Sequence, residues 1–74
     1  MVFEKVRALI CEQFGVDEDR VTMESNMISD FGADSLDVID LAMSIEDEFD
    51  IEVPDDEIKK IVTVGDIVRF IEEN

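Results

Sequence analysis

The sequence predicts an all-α fold: a small four-helix bundle with three longer helices, one short third helix and a long loop after the first helix. Three observations carry that prediction. Apolar residues recur at three- and four-residue intervals in three separate segments. Capping signals open two of these segments, at Asp34 and Thr63, and a glycine, Gly15, closes the other. Residues 16–33 show no sustained period and separate the first segment from the second.

Each element follows from its residues. Val2, Val6, Leu9, Ile10 and Phe14 form the apolar stripe of a first amphipathic helix over residues 2–14, with Gly15 in the C-cap position. Cys11 sits at the edge of that stripe and reads as a small, mostly buried thiol with no cationic neighbour to lower its pKa. The loop over 16–33 carries Val16, Val21, Met23, Met27, Ile28 and Phe31 among turn formers, so it is expected to be pinned by these anchors. Asp34 with Asp37 three residues on is an aspartate variant of the capping box and opens a helix running to about Phe49. Pro54, the acids after it and then Lys59 and Lys60 give the charge order of a short helix over about 55–60. Thr63 with Asp66 forms another capping box, and Val64, Ile67, Val68, Phe70 and Ile71 carry the last helix to the end.

Composition excludes several function classes. Seventy-four residues predict a single domain over 1–74, with a core that supplies roughly 3–5 kcal/mol and leaves no room for a catalytic second domain. A single cysteine and no histidine rule out an internal disulfide and the usual zinc sets, and fit a cytoplasmic setting with no metal. No run of 18 apolar residues exists, so neither a targeting segment nor stable membrane insertion is expected. The net charge of −15 excludes binding along a phosphate backbone, hence nucleic acid, and predicts basic protein partners for a monomer. The charge is concentrated: residues 21–58 hold 13 acids and no base.

The second predicted helix has two unlike faces. Steps of 100° put Val38, Leu41, Ala42, Ile45 and Phe49 on one side, the core side. Leu36, Asp40, Met43 and Asp47 collect on the other, with Asp37, Ile39 and Glu46 on its flanks. Neighbouring loops could cover these apolar residues, but three of them on an acidic face favour a docking surface. There the charges steer encounter and the apolar side chains set residence.

Ser35 lies between Asp34 and Leu36 in "GADSLD" and has no imidazole anywhere in the chain to activate it, which argues against a nucleophile. Two readings remain from helix physics. Either the positive helix terminus holds a phosphate on the Ser35 hydroxyl, or the serine merely occupies a first turn where serine is common.

The extended run "DFGADSLDVIDLAMSIEDEFDIEVPDDE" resembles the acyl carrier proteins of dissociated (type II) fatty acid synthesis, and the resemblance extends from "EQFGV" to "TVGDIV". Its specificity lies in Gly32, the Asp34-Ser35-Leu36 triplet, Asp37, Leu41, Glu46, Phe49 and Pro54 in register. The resemblance implies that Ser35 is a substrate, to which a phosphopantetheinyl transferase joins 4'-phosphopantetheine, whose thiol then carries acyl chains as thioesters. It implies a carrier and not an enzyme, with Asp34, Leu36, Asp37, Ile39, Asp40, Met43, Glu46 and Asp47 meeting basic and apolar patches on fatty acid synthesis enzymes. The acyl chain is expected to enter an apolar interior lined by Ile28, Ala42, Ile45, Val53, Ile58, Ile61 and Ile67. Met27 and Phe31 stand where many members have Phe and Leu, and Ser29 replaces a common acid. Carriers of polyketide, aminoacyl or lipid A precursor pathways would use the same serine and arm. A calcium-binding helical protein is disfavoured, because "DEDRVT" lacks the glycine and the third acid of such a loop. An acidic mimic of nucleic acid would explain the charge but leave the Asp-Ser-Leu context to chance.

Overall fold

The structure, a computed structural model, describes residues 2–74. Its helices are α1 (Val2–Phe14), α2 (Met27–Phe31), α3 (Ser35–Phe49), α4 (Asp55–Lys60) and α5 (Val64–Glu73), with a 3-10 turn at Glu18–Arg20. The three longer helices and the short α4 stand where the sequence puts them. The 3-10 turn and α2 are additions within the expected long loop.

Both predicted capping boxes form. Asp34 Oδ1 accepts the N–H of Asp37 while Asp37 Oδ2 accepts the N–H of Asp34, at 3.0 and 3.1 Å. Thr63 and Asp66 repeat the exchange at the start of α5, where Asp66 also takes the Val62 N–H and pairs with Arg69. Partial burial works against the charged form of Asp66, but the N–H groups of Thr63 and Val62 and the Arg69 guanidinium outweigh it and hold its carboxyl below the usual range. At its far end α3 stops on Asp50, in the left-handed region at φ 54°, one of the few residue types that tolerates that conformation.

Val6 and Ile10 of α1, Leu41 and Ile45 of α3 and Val64, Ile67 and Val68 of α5 meet in one core. Val21 and Met27 pin the long loop into it, as expected of them. Met23 and Ile28 do not serve as core anchors: Met23 stays 41% exposed, and α2 turns Met27 inward and Ile28, 62% exposed, away. Phe14 and Phe31 stack with ring centroids 6.0 Å apart, so the larger Phe31 is accommodated at the end of α1. Cys11 is half-buried, and Arg7 is a cationic neighbour that the sequence reading did not anticipate. Burial first, then Glu18 and Asp17, nonetheless push the Cys11 thiol up against the pull of Arg7, which disfavours the thiolate.

A two-bond bridge ties the long loop to the α4–α5 connection: Met27 N–H donates to Val62 O and Val64 N–H to Ser25 O. Gly65 N–H donates to Met23 O at 2.8 Å, and a Cβ on Gly65 would lie 2.9 Å from that carbonyl oxygen. The close neighbour is backbone and cannot swing aside. Gly65→Ala is therefore expected to cost about 1 kcal/mol net, overpacking outweighing the helix propensity gained. That lowers Tm by roughly 4–8 °C for a domain this small. A thermal melt of Gly65→Ala checks it, and a rise in Tm would contradict the packing described.

Candidate functional site

Three contacts place the start of α3. The capping box fixes its first turn, and Ala33 is buried beneath the approach to it. From α1, the Gln13 side-chain amide donates to Asp37 O at 2.8 Å. Ser35 is the first residue of the helix and is exposed, and its hydroxyl has no hydrogen-bond partner among the described residues. The capping exchange uses Asp37 N–H and leaves the N–H groups of Ser35 and Leu36 without an acceptor among those residues. A hydroxyl so placed is neither cap nor core, and stands open to an incoming group.

The other serines are placed differently. Ser25 is buried, accepts the Thr22 N–H and donates to Arg20 O. Ser44 is half-buried in the middle of α3, and Ser29 is exposed on α2.

Beside Ser35 runs a groove of about 340 Å³, between α2, the first turns of α3 and α4, lined by Ile28, Val38, Ile39, Ile58 and Ile61 with Asp34 and Lys59. Of the residues expected to line an acyl interior, Ile28, Ile58 and Ile61 stand on this groove. Ala42, Ile45, Val53 and Ile67 are buried in the core. Ile39, assigned from its helical angle to the flank of the docking face, lies on the groove wall. Val38 and Lys59 are groove residues that sequence reasoning missed. Nothing in the chain's periodicity shows how α4 leans on α3.

On the outer side of α3, Leu36 is 71% exposed and Met43 58% exposed, with Asp40 and Asp47 exposed between and beyond them. Two members of the expected acidic face also hold the fold. Asp37 completes the capping box, and Glu46 Oε2 accepts the Val53 N–H at 2.7 Å, which folds the α3–α4 connection back against the helix. Charge reversal at Asp37 therefore perturbs the N-terminus of α3 as well as the surface.

A small helical bundle with one uncommitted serine hydroxyl at a helix start, an apolar groove beside it and an acidic, apolar-studded helix face has the parts of a carrier of tethered groups. The phosphopantetheine attachment site family matches residues 4–71. The acyl carrier protein of Clostridium acetobutylicum is 54% identical over 71 residues, covering 96% of this chain and 92% of that protein. That of Helicobacter pylori is 51% identical over 73 residues, covering 99% and 94%. The solved structure of the thermally stable acyl carrier protein from Enterococcus faecalis superposes with a TM-score of 0.84 at 38% identity, covering 99% of this chain and 92% of that one. The chain belongs to the acyl carrier proteins, the phosphopantetheine-bearing thioester carriers of fatty acid synthesis. None of the described helices is long and apolar enough to cross a membrane.

Proposed function

We propose that residues 1–74 form one carrier domain that bears 4'-phosphopantetheine on Ser35 Oγ and presents acyl thioesters to fatty acid synthesis enzymes. The observation that carries this is the exposed, uncommitted Ser35 hydroxyl at the mouth of the groove of Ile28, Ile58 and Ile61, within a chain of this family. The serine needs no base of its own, because a phosphopantetheinyl transferase supplies the proton acceptor as the Oγ–phosphorus bond forms and the pyrophosphate bond of coenzyme A breaks, with adenosine 3',5'-bisphosphate leaving. The arm contributes a thiol at which an acyl group is held. The chain's residues do the rest: the capping box fixes the attachment point, the groove shelters apolar carbons next to it, and the outer face of α3 meets the enzymes. The domain acts as a carrier and supplies no catalytic group.

The charge pattern fits that work. Basic partners are attracted to Asp40 and Asp47, while Leu36 and Met43 offer apolar anchors within the acidic rim. Incubating the apo chain with a transferase and an acyl-coenzyme A is expected to add one acyl-phosphopantetheine per chain. Neutral hydroxylamine should then release the acyl group, as it does from a thioester. A chain that stays at its polypeptide mass, or an acyl group that resists hydroxylamine, would overturn the reading.

A further inference from the structure

We propose that Lys59 is the cation that seats the phosphodiester on Ser35, so that the arm leaves the serine along the groove between α3 and α4 and not across the acidic outer face of α3. This rests on Ser35 as the attachment residue. A phosphate at the start of α3 meets the open N–H groups of Ser35 and Leu36, but it also meets the Asp34 and Asp37 carboxylates that already occupy the capping box there. Residues 21–58 contain no base that could offset them. Lys59, the first base after that tract, lies on the same groove as Ser35.

The other lysines and arginines are engaged or elsewhere. Lys60 pairs with Glu57 at 3.8 Å, Arg7 with Glu18 at 3.7 Å, and Arg69 with Asp66. Lys5 lies over the Phe49 ring, and Arg20 belongs to the 3-10 turn, outside the groove. Lys59 is exposed and makes no ion pair among the described residues, although Asp34 shares the groove with it. An ammonium on a flexible stem binds phosphate as a point charge, and a phosphate tethered to Ser35 cannot diffuse beyond its reach. Pairing there would also direct the apolar part of an acyl-bearing arm toward Ile58 and Ile61.

The test compares holo protein of the native sequence, Lys59→Gln, Lys59→Arg and Lys60→Gln, each confirmed by intact mass to carry the arm. Two signals are read by NMR: the 31P shift of the phosphodiester, and cross-relaxation between the pantetheine methyl groups and the Ile58 and Ile61 methyls. In Lys59→Gln the 31P signal is expected to move, and the population of arm lying in the groove to fall about 1.5- to 5-fold, the range an exposed ion pair gives. High salt should produce the same change in the native protein. Lys59→Arg should keep the native signals, and so should Lys60→Gln. A 31P signal and cross-relaxation unchanged in Lys59→Gln, or altered equally by Lys60→Gln, would overturn the assignment of Lys59 while leaving the role of Ser35 standing. A native chain that never acquires the arm would overturn both.

Discussion

Ser35→Ala takes up no phosphopantetheine from a transferase that loads the native chain, and its fold stands. The loss is complete because the Oγ atom is itself the point of attachment, and none of the other serines replaces it. Ser25 is buried within its own hydrogen bonds, Ser44 is half-buried on α3, and Ser29 is exposed but lies on α2, outside the groove. The fold survives because the cap of α3 is Asp34, not Ser35, and an exposed substitution with no partner to lose changes stability by about 0.5 kcal/mol or less. Intact mass after transferase treatment and circular dichroism of the same samples check both halves. Loading of Ser35→Ala would contradict the account, and so would collapse of its helicity.

Leu41→Ala is the largest expected loss of stability. Leu41 is 1% exposed at the centre of the core, and truncating such a leucine costs about 2–5 kcal/mol. A core supplying only roughly 3–5 kcal/mol cannot absorb the upper part of that range, so a large fraction of molecules should be unfolded at room temperature. Two positions along the same helix, Met43→Ala is expected to melt like the native chain, since Met43 faces solvent. Its effect belongs to the complex instead. Removing an anchor worth about 1–3 kcal/mol speeds dissociation from a ketosynthase or transferase about 5- to 150-fold. Charge reversal at Asp40 or Asp47 should slow association and flatten its salt dependence, because rim charges act through encounter. Melts of all four variants beside binding kinetics separate the two faces. An unfolded Met43→Ala with an intact Leu41→Ala would mean that the faces of α3 are exchanged.

Most of the fold was legible because its helices announce themselves twice, by an apolar stripe and by a cap. For α3 and α5 both signals were present, and both capping boxes formed. For α2 the stripe could not help, since five residues barely exceed one helical turn. Its signals lay in the ends. Asn26 caps the N–H groups of Ile28 and Ser29, Asp30 takes the Asn26 N–H in return, and Gly32 closes the helix in the left-handed region. Read together, Asn26, Asp30 and Gly32 could have revealed it.

The site was legible in its centre and less so at its margins. Ser35 could be singled out because the chain offers no imidazole to make it a nucleophile and the surrounding motif is specific. Angles around a single helix distinguish inside from outside, yet they cannot tell open surface from the wall shared with a neighbouring helix. Ile39 and Lys59 fall on that wall, and their position depends on how α4 packs against α3. Glu46 shows a second limit. A carboxylate on an acidic face looks like surface charge in sequence, whereas Glu46 also holds the Val53 N–H.

The most direct test of the central claim is peptide-level mass spectrometry of the chain purified from cells that express a phosphopantetheinyl transferase. The account predicts a phosphopantetheine increment on the peptide containing Ser35, with fragment ions that localise it to that residue and leave Ser25, Ser29 and Ser44 unmodified. An increment localised to one of those three serines, or a fully unmodified chain in such cells, would contradict it.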